Sequence, residues 1–390
     1  MNCVADAVQA VKTGLKACCK FLSANDTGLT GAHQSGIYIT KQASSILFDS
    51  PCRRGENRDR RIRISWHDGT CTNSRAIYYG QGTRNEYRIT GFGRGFPYLR
   101  PEHTGSLFVL VWCCSDYYRA FVFDLEDEIN EFLDAVGITA TQTDGLIGEL
   151  RHSTVPDESE VFFRYIDSLD VDFPDSVEMS RAAREFYHAL YGADLDVRLN
   201  PDRRLVDWTD IEFRLFRAFE FVRYRDILKG GFRRVDEFVE TALQVLNRRK
   251  SRAGKSLEHH LAALFTGNGL RFDEQAVTEG NKRPDFLFPS AEAYHSSAFA
   301  TDGLVTLAAK TTCKDRWRQV INEADRLRDR PKYLCTLQRG ISPAQLLEME
   351  SEKVVLVVPK MYHTDYPPEW RDAILSVGQF IAMVREMEGV

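Results

Sequence analysis

Apolar residues in the first third of the chain fall into runs of strand length. Arg61–Trp66, Arg75–Tyr79 and Glu86–Thr90 are short β-like stretches separated by turn residues such as Gly69, Gly80 and Gly82. Leu107–Cys114 and Tyr117–Phe123 are more continuously apolar and predict a hairpin around Ser115-Asp116. Several short strands at this spacing predict a β-barrel-like domain. Ahead of them, Val8–Leu22 carries Lys12, Lys16 and Lys20 at four-residue spacing, which predicts an amphipathic helix and not a signal peptide. Glu126–Val136 reads as a helix that ends the domain, and a polar, irregular stretch with Pro156 and Pro174 follows as a linker.

Past the linker the apolar period becomes helical, over Val177–Tyr191, Trp208–Leu228, Val235–Asn247 and Ser256–Leu264. Two apolar strands come next, the first opened by Asp285 and the second closed by Lys310, then a charged helix from near Lys314. Tyr333–Leu337, a helix near Ala344–Ser351, the strand Val354–Val358 and a helix Trp370–Met387 complete the pattern. Strands alternating with helices predict an α/β core. The expected division is 1–155 for the first domain, 156–177 for the linker and 178–390 for the second.

Composition narrows the function classes. With 390 residues, 43% hydrophobic and 27% charged, the chain reads as a soluble two-domain protein. No apolar run reaches the roughly 18 residues of a membrane span, so a cytoplasmic protein without a membrane partner is expected. The nine cysteines are scattered without a C-x-x-C spacing, which argues for reduced thiols over a disulfide framework or a zinc site. A net charge of −5 excludes indiscriminate nucleic-acid coating, but recognition depends on local charge. Locally, Arg53, Arg54, Arg58, Arg60, Arg61, Arg63, Arg84, Arg88, Arg94 and Arg100 cluster with Trp66, Tyr78, Tyr79, Tyr87 and Phe92. Such a surface suits contacts to a DNA backbone and bases; a solvated face is the plain alternative. The glycine-rich loop between Ser23 and Gly36 is likewise either a surface turn or a phosphate approach.

Pro-Asp occurs four times, but only Pro284-Asp285 opens an apolar strand, with a second strand ending in lysine 25 residues later. Charged groups at strand ends project into a cleft, and this pair suits phosphodiester hydrolysis: Asp285 as a hard oxygen ligand for Mg²⁺, Lys310 to orient water or stabilise charge on the phosphate. One well-placed donor is worth on the order of 10²–10³ in rate, far short of what so slow a reaction demands, hence the expected metal. In the usual acid-x-Lys pattern the acid slot is here Ala308, so a second carboxylate has to come from elsewhere. Glu323 is the best candidate, placed about two helical turns beyond Arg316 on one face, with Trp317, Ile321, Ala324 and Leu327 as the buried stripe. The alternative is a helix salt bridge of a few tenths of a kcal/mol. Glu258 is a possible additional acid. Gly254-Lys255-Ser256 mimics a phosphate loop but lacks the preceding glycine and strand, so ATP binding is rejected and a basic clamp on DNA preferred.

At Arg248–Leu257, Thr278–Ser290 and Lys310–Glu323, and again at Leu22–Gly28, His33-Gln34 and Thr83–Glu86, the sequence resembles the EcoRII-like type IIE restriction endonucleases. The resemblance implies a C-terminal α/β domain of the restriction-endonuclease-like PD-(D/E)xK fold and an N-terminal, mainly β, B3-like pseudobarrel that binds effector DNA. It implies a homodimeric, Mg²⁺-dependent nuclease that cuts double-stranded DNA at CCWGG before the first C and binds two copies of the site. Asp285, Lys310 and Glu323 then form the catalytic set, with Asp285 and Glu323 on the metal. Lys314, Asp315 and Arg316 read the C:G pairs, consistent with arginine on guanine and a carboxylate on cytosine N4. His33, Tyr38, Arg84, Glu86 and Arg88 touch effector DNA, Gly82 replaces an expected basic residue, and the central bases are flipped. A cognate DNA methyltransferase is expected as a functional, not physical, partner. A DNA-binding regulator and a structure-selective repair nuclease on the same fold are the rivals.

Overall fold

A computed structural model describes residues 3–30, 36–148, 158–192, 197–314 and 316–389, the side chains of Ala253, Arg316 and Asn322 excepted. The N-terminal half comprises α1 (Cys3–Thr13), β1 (Lys16–Phe21), β2 (Ile37–Ile39), β3 (Arg58–Trp66), β4 (Cys71–Tyr79), β5 (Glu86–Thr90), β6 (Leu107–Cys114), β7 (Tyr117–Phe123) and α2 (Glu126–Val136). The strands form one seven-stranded sheet in the order β1-β6-β7-β3-β4-β5-β2. Only β3 and β7 pair in parallel; the other pairs are antiparallel.

Strand β6 is a continuous apolar run because both its faces are buried. Phe108 and Leu110 enter a core with Ile37, Ile64, Trp66 and Tyr118, while Leu107, Val109 and Val111 meet α1 and α2 through Ala7, Ala10 and Phe132. The predicted helix Val8–Leu22 is corrected by the same rule. α1 stops at Thr13, and Gly14 lies so close to β6 that a Cβ there would meet Val111 Cγ1 at 2.4 Å. Beyond it, Ala17, Cys19 and Phe21 bury on one face and Cys18 on the other, a period of two. Lys20 imitated a helical charge stripe but is buried, its Nζ 2.6 Å from Asp26 Oδ2.

The second half opens with α3 (Glu158–Asp167), α4 (Ser176–Tyr191), α5 (Pro201–Gly230) and α6 (Val235–Gly267). It continues through β8 (Asp273–Glu274), β9 (Phe286–Phe288), α7 (Ala291–His295), β10 (Val305–Lys310), β11 (Lys332–Thr336), α8 (Pro343–Ser351), β12 (Val354–Val357) and α9 (Val377–Glu388). The sheet runs β12-β11-β10-β9-β8, with β10, β11 and β12 parallel and β9 and β8 antiparallel to their neighbours. One face packs Leu307 and Ala309 against Leu257, Leu261 and Phe265 of α6 and Phe380 of α9. The other packs Ala308 and Leu334 against Trp317 and Val320.

Four expectations change here. The stretch read as irregular carries α3, whose Phe162 and Ile166 pack with Leu215 and Phe219 of α5. Two separate helices are one, since α6 runs unbroken through the basic segment 248–255. α9 begins at Val377, behind the Ser376–Gln379 capping box, and Pro368–Trp370 is a separate 3₁₀ turn. Most consequential, the α-helix expected from Lys314 to Glu323 is 3₁₀ structure over Arg316–Asn322 and Asp325–Leu327. Burial there follows a period of three, with Trp317 and Val320, then Ala324 and Leu327, fully buried and Ile321 only half so.

Candidate active site

Antiparallel pairing of β9 with β10 sets Leu307 opposite Phe286, so Asp285, just before β9, and Lys310, at the end of β10, lie at the same end of the sheet. Both oxygens of Asp285 are held: Oδ2 accepts from the Ala309 amide at 2.7 Å and Oδ1 from Gln275 Nε2 at 2.7 Å. Gln275 Nε2 also reaches Glu258 Oε2 at 3.3 Å, and Lys255 Nζ donates to that oxygen at 2.6 Å. Alternation along β10 turns Ala308 and Lys310 to the same face, the one packed by Cys313, Trp317 and Val320. Ala308 is buried in the cluster that holds Trp317, where an ionised acid would be desolvated.

Glu323 lies just past the 3₁₀ turn, and its Oε2 is buried without a hydrogen-bond partner. Burial and the nearby Asp285 charge push its carboxyl up to about 7, with Lys310 opposing them. Its position is fixed by residues 278–282, to which sequence pattern assigns no role. Thr278 Oγ1 donates to the Glu323 carbonyl at 2.6 Å; the Glu279 carboxylate accepts from the amides of Asp325 and Arg326 at 2.9 and 3.1 Å. Lys282 Nζ pairs with Asp325 Oδ2 at 2.7 Å. Residues 278–285 therefore brace one acid while presenting the other.

Two facing carboxylates, one with an orphaned buried oxygen, fit a hard divalent cation. Among the described residues no group of three or more His, Cys, Asp or Glu is placed to hold a metal, so water and substrate oxygens have to complete such a shell. The other acid, Glu258, stands one amide group away, beyond Gln275.

Of the expected recognition residues, Asp315 lies outside the described residues, as does the Arg316 side chain. Lys314 is buried against the N-terminal half: its Nζ donates to the Thr104 carbonyl and to Ser106 Oγ, both at 3.1 Å, and its amide to Glu126 Oε2 at 3.1 Å. Thr312 Oγ1 donates to Asn130 Oδ1 at 2.9 Å, Gln338 Nε2 to the Gly105 carbonyl at 2.7 Å, and Arg249 Nη1 to the Asp134 carbonyl at 2.6 Å. A cavity of about 470 Å³ separates Glu126, Asp127, Glu131 and Asp134 of α2 from Lys250, Glu258 and Lys310. Acids of one half thus face lysines of the other across this cavity, with Lys310 on its wall.

Among the expected effector residues, His33 lies outside the described residues. Tyr38 of β2 pairs in register with Arg88 of β5; its amide donates to Asp26 Oδ1 at 2.8 Å and its carbonyl accepts from Lys20 Nζ at 3.1 Å. Arg84 is exposed, its guanidinium 5.3 Å from the centre of the Tyr79 ring. Arg88 is buried, donating to the Gly36 carbonyl at 3.3 Å and pairing with Glu86 at 3.4 Å, so in this conformation it braces the strand edge. Arg53, Arg54, Arg58, Arg61 and Arg63 are exposed as expected.

Residues 216–381 match the family description "EcoRII C terminal", and residues 11–135 match "Restriction endonuclease EcoRII, N-terminal". The chain is 39% identical over 388 residues to the type II restriction enzyme EcoRII of Escherichia coli, covering 93% of this chain and 92% of that one. It is 31% identical over 156 residues to the type II restriction enzyme SsoII of Shigella sonnei, covering 38% of this chain and 50% of that one. A solved complex of the restriction endonuclease PspGI with substrate DNA aligns with a TM-score of 0.46 at 17% identity, covering 56% of this chain and 94% of that chain. The mainly β N-terminal half thus corresponds to the EcoRII N-terminal domain and the α/β C-terminal half to the EcoRII C-terminal domain. The chain belongs to the EcoRII family of type II restriction enzymes and is a sequence-specific DNA endonuclease.

Proposed function

We propose that this enzyme cuts double-stranded DNA at CCWGG, before the first C, with Mg²⁺ held between Asp285 and Glu323 and with Lys310 as the catalytic cation. The observation that carries this reading is the orphaned, buried Oε2 of Glu323 beside a second carboxylate and a lysine. A bound cation supplies Lewis acidity and lowers the cost of ionising water. Asp285, clamped by the Ala309 amide, presents a fixed carboxylate. Lys310 stabilises charge that builds on the phosphate as water adds to phosphorus and the 3′ oxygen leaves. Lys314, Asp315 and Arg316 follow Lys310 on one connection, so reading the outer C:G pairs and cutting are coupled through a few residues.

The N-terminal half acts, in this reading, as an allosteric effector domain that binds a second CCWGG copy through His33, Tyr38, Arg84, Glu86 and Arg88. The seating of Lys314 on Thr104, Ser106 and Glu126 supports it, because a duplex cannot meet Lys314 there until the halves part. A palindrome read by two equivalent half-sites calls for a homodimer. The exposed stripe Val235, Phe238, Val239 and Leu243 on α6, beside Phe221 and Leu228 of α5, supports a partner surface there. A DNA methyltransferase that protects the same sequence is the expected functional partner.

Digestion of plasmids carrying one or two CCWGG sites, with Mg²⁺ or with a chelator, followed by sequencing of the ends, tests the proposal. Ends confined to the position before the first C, formed only with Mg²⁺ and faster on two-site plasmid, are expected. Binding without cleavage would favour the regulator, and breaks at branches or mismatches the repair nuclease.

A further inference from the structure

We infer that Gln275 is a positioning residue that sets the cation affinity of the active site by dividing its two amide hydrogens between Asp285 and Glu258. The inference rests on the proposed reading of Asp285 as a metal-holding carboxylate. Its starting point is a backbone conformation: Gln275 has φ +52°, one of three non-glycine residues with positive φ among the described residues. L side chains rarely adopt this region, and such residues persist where surrounding structure holds them.

Here the hold is visible. β8 pairs with β9 through Asp273–Leu287 and Glu274–Phe286, so Gln275 is the next residue and stands opposite Asp285. Its amide donates to the Asp285 carbonyl at 3.1 Å. The left-handed turn leaves the side chain between Asp285 Oδ1 at 2.7 Å and Glu258 Oε2 at 3.3 Å. An ionised carboxylate can only accept, so the end of the side chain facing these two oxygens has to be the NH₂ group and not the carbonyl. An amide there does what no other side chain of its size does: it offers one hydrogen to each of two anions without adding charge. With Oδ2 on the Ala309 amide, Asp285 is fixed at two points and its plane is set. Glu258, also held by Lys255, is kept from turning into the space between Asp285 and Lys310.

Outer groups that orient metal-binding carboxylates typically contribute about 10–100-fold to affinity. The test uses the full-length chain with Gln275→Ala, Gln275→Gly and Asp285→Asn, measuring Mn²⁺ binding by calorimetry, the Mg²⁺ concentration for half-maximal cleavage, and Tm. Gln275→Ala is expected to weaken Mn²⁺ binding and raise the Mg²⁺ midpoint by at least about tenfold, while the rate at saturating Mg²⁺ falls much less. Gln275→Gly relieves the left-handed strain, so it should lose cation affinity to the same degree with Tm unchanged or higher. That combination separates the amide's role from general destabilisation. Unchanged Mn²⁺ affinity in both Gln275 variants, alongside its loss in Asp285→Asn, would overturn the inference alone. Unchanged affinity in Asp285→Asn would instead remove the proposed metal site.

Discussion

Glu323→Gln separates stability from catalysis in a way few substitutions in this chain do. The carboxyl is pushed from an ordinary 4.5 up to about 7, chiefly by burial and then by Asp285. Folding therefore favours its protonated form, and its contribution to stability falls as pH rises from about 4.5 through about 7. At about 1.4 kcal/mol per tenfold change, the full gap corresponds to about 3 kcal/mol. Local relaxation and solvent screening reduce it, so a gain of about 1–3 kcal/mol is expected when the charge is removed. Without divalent cations, Glu323→Gln should melt several degrees above wild type at pH 8 and match it near pH 4.5. With Mg²⁺ the order should narrow or invert, because only the wild type gains from tight cation binding. Cleavage should drop by at least about a thousandfold while specific binding survives. Scanning calorimetry across pH, paired with a plasmid digest, makes the measurement. A stability difference independent of pH, or a variant that still cuts at the wild-type rate, would refute the placement of Glu323.

Three further outcomes are expected. A Cβ at Gly105 would meet the Gly340 carbonyl oxygen at 2.1 Å, where the halves interlock. Gly105→Ala should loosen the contact and raise cleavage of one-site DNA by about 5–150-fold, read in the plasmid assay. Leu243→Asp, placed in the exposed apolar stripe of α6, should halve the particle mass in sedimentation and slow double-strand cutting. Arg84→Ala should weaken binding of a CCWGG duplex to the N-terminal half by about tenfold and remove stimulation by a second site, as read by gel shift and a two-site digest.

Much of the architecture follows from apolar period alone. β6 and β7 occupy the residues expected because both their faces are buried and leave a plain apolar run, and α2 because Ile129, Phe132 and Leu133 bury at helical spacing. β1 was hidden because lysines at positions 12, 16 and 20 imitate a helix face, whereas Lys20 serves a buried ion pair formed by the fold. Long α6 looked broken at its basic run, since charge masks helical continuity there. In the site, the strand-end geometry of Asp285 and Lys310 was readable from two apolar runs. Glu323 was readable from the empty acid slot at Ala308 and its spacing beyond Arg316, but the 3₁₀ backbone that delivers it was not, because its period depends on packing against β11 and α8. Gln275, Thr278 and Glu279 act through contacts distant in sequence, which no local pattern records. The same holds for Lys314, whose seat on Thr104 and Ser106 joins residues about 200 positions apart.

The central claim is that the Asp285–Lys310–Glu323 site is a working nuclease covered by the N-terminal half. The most direct measurement compares the full chain with a fragment beginning at Glu158 on DNA carrying one CCWGG site, in Mg²⁺, with Lys310→Ala fragment as control. This fragment keeps α3 and the Glu158–Arg214 ion pair, 2.8 Å between Oε1 and Nε. The fragment is expected to cut before the first C at least about tenfold faster than the full chain, and the control not at all. A folded fragment that cuts no faster than the full chain, or a control that cuts as fast as the fragment, would contradict the account.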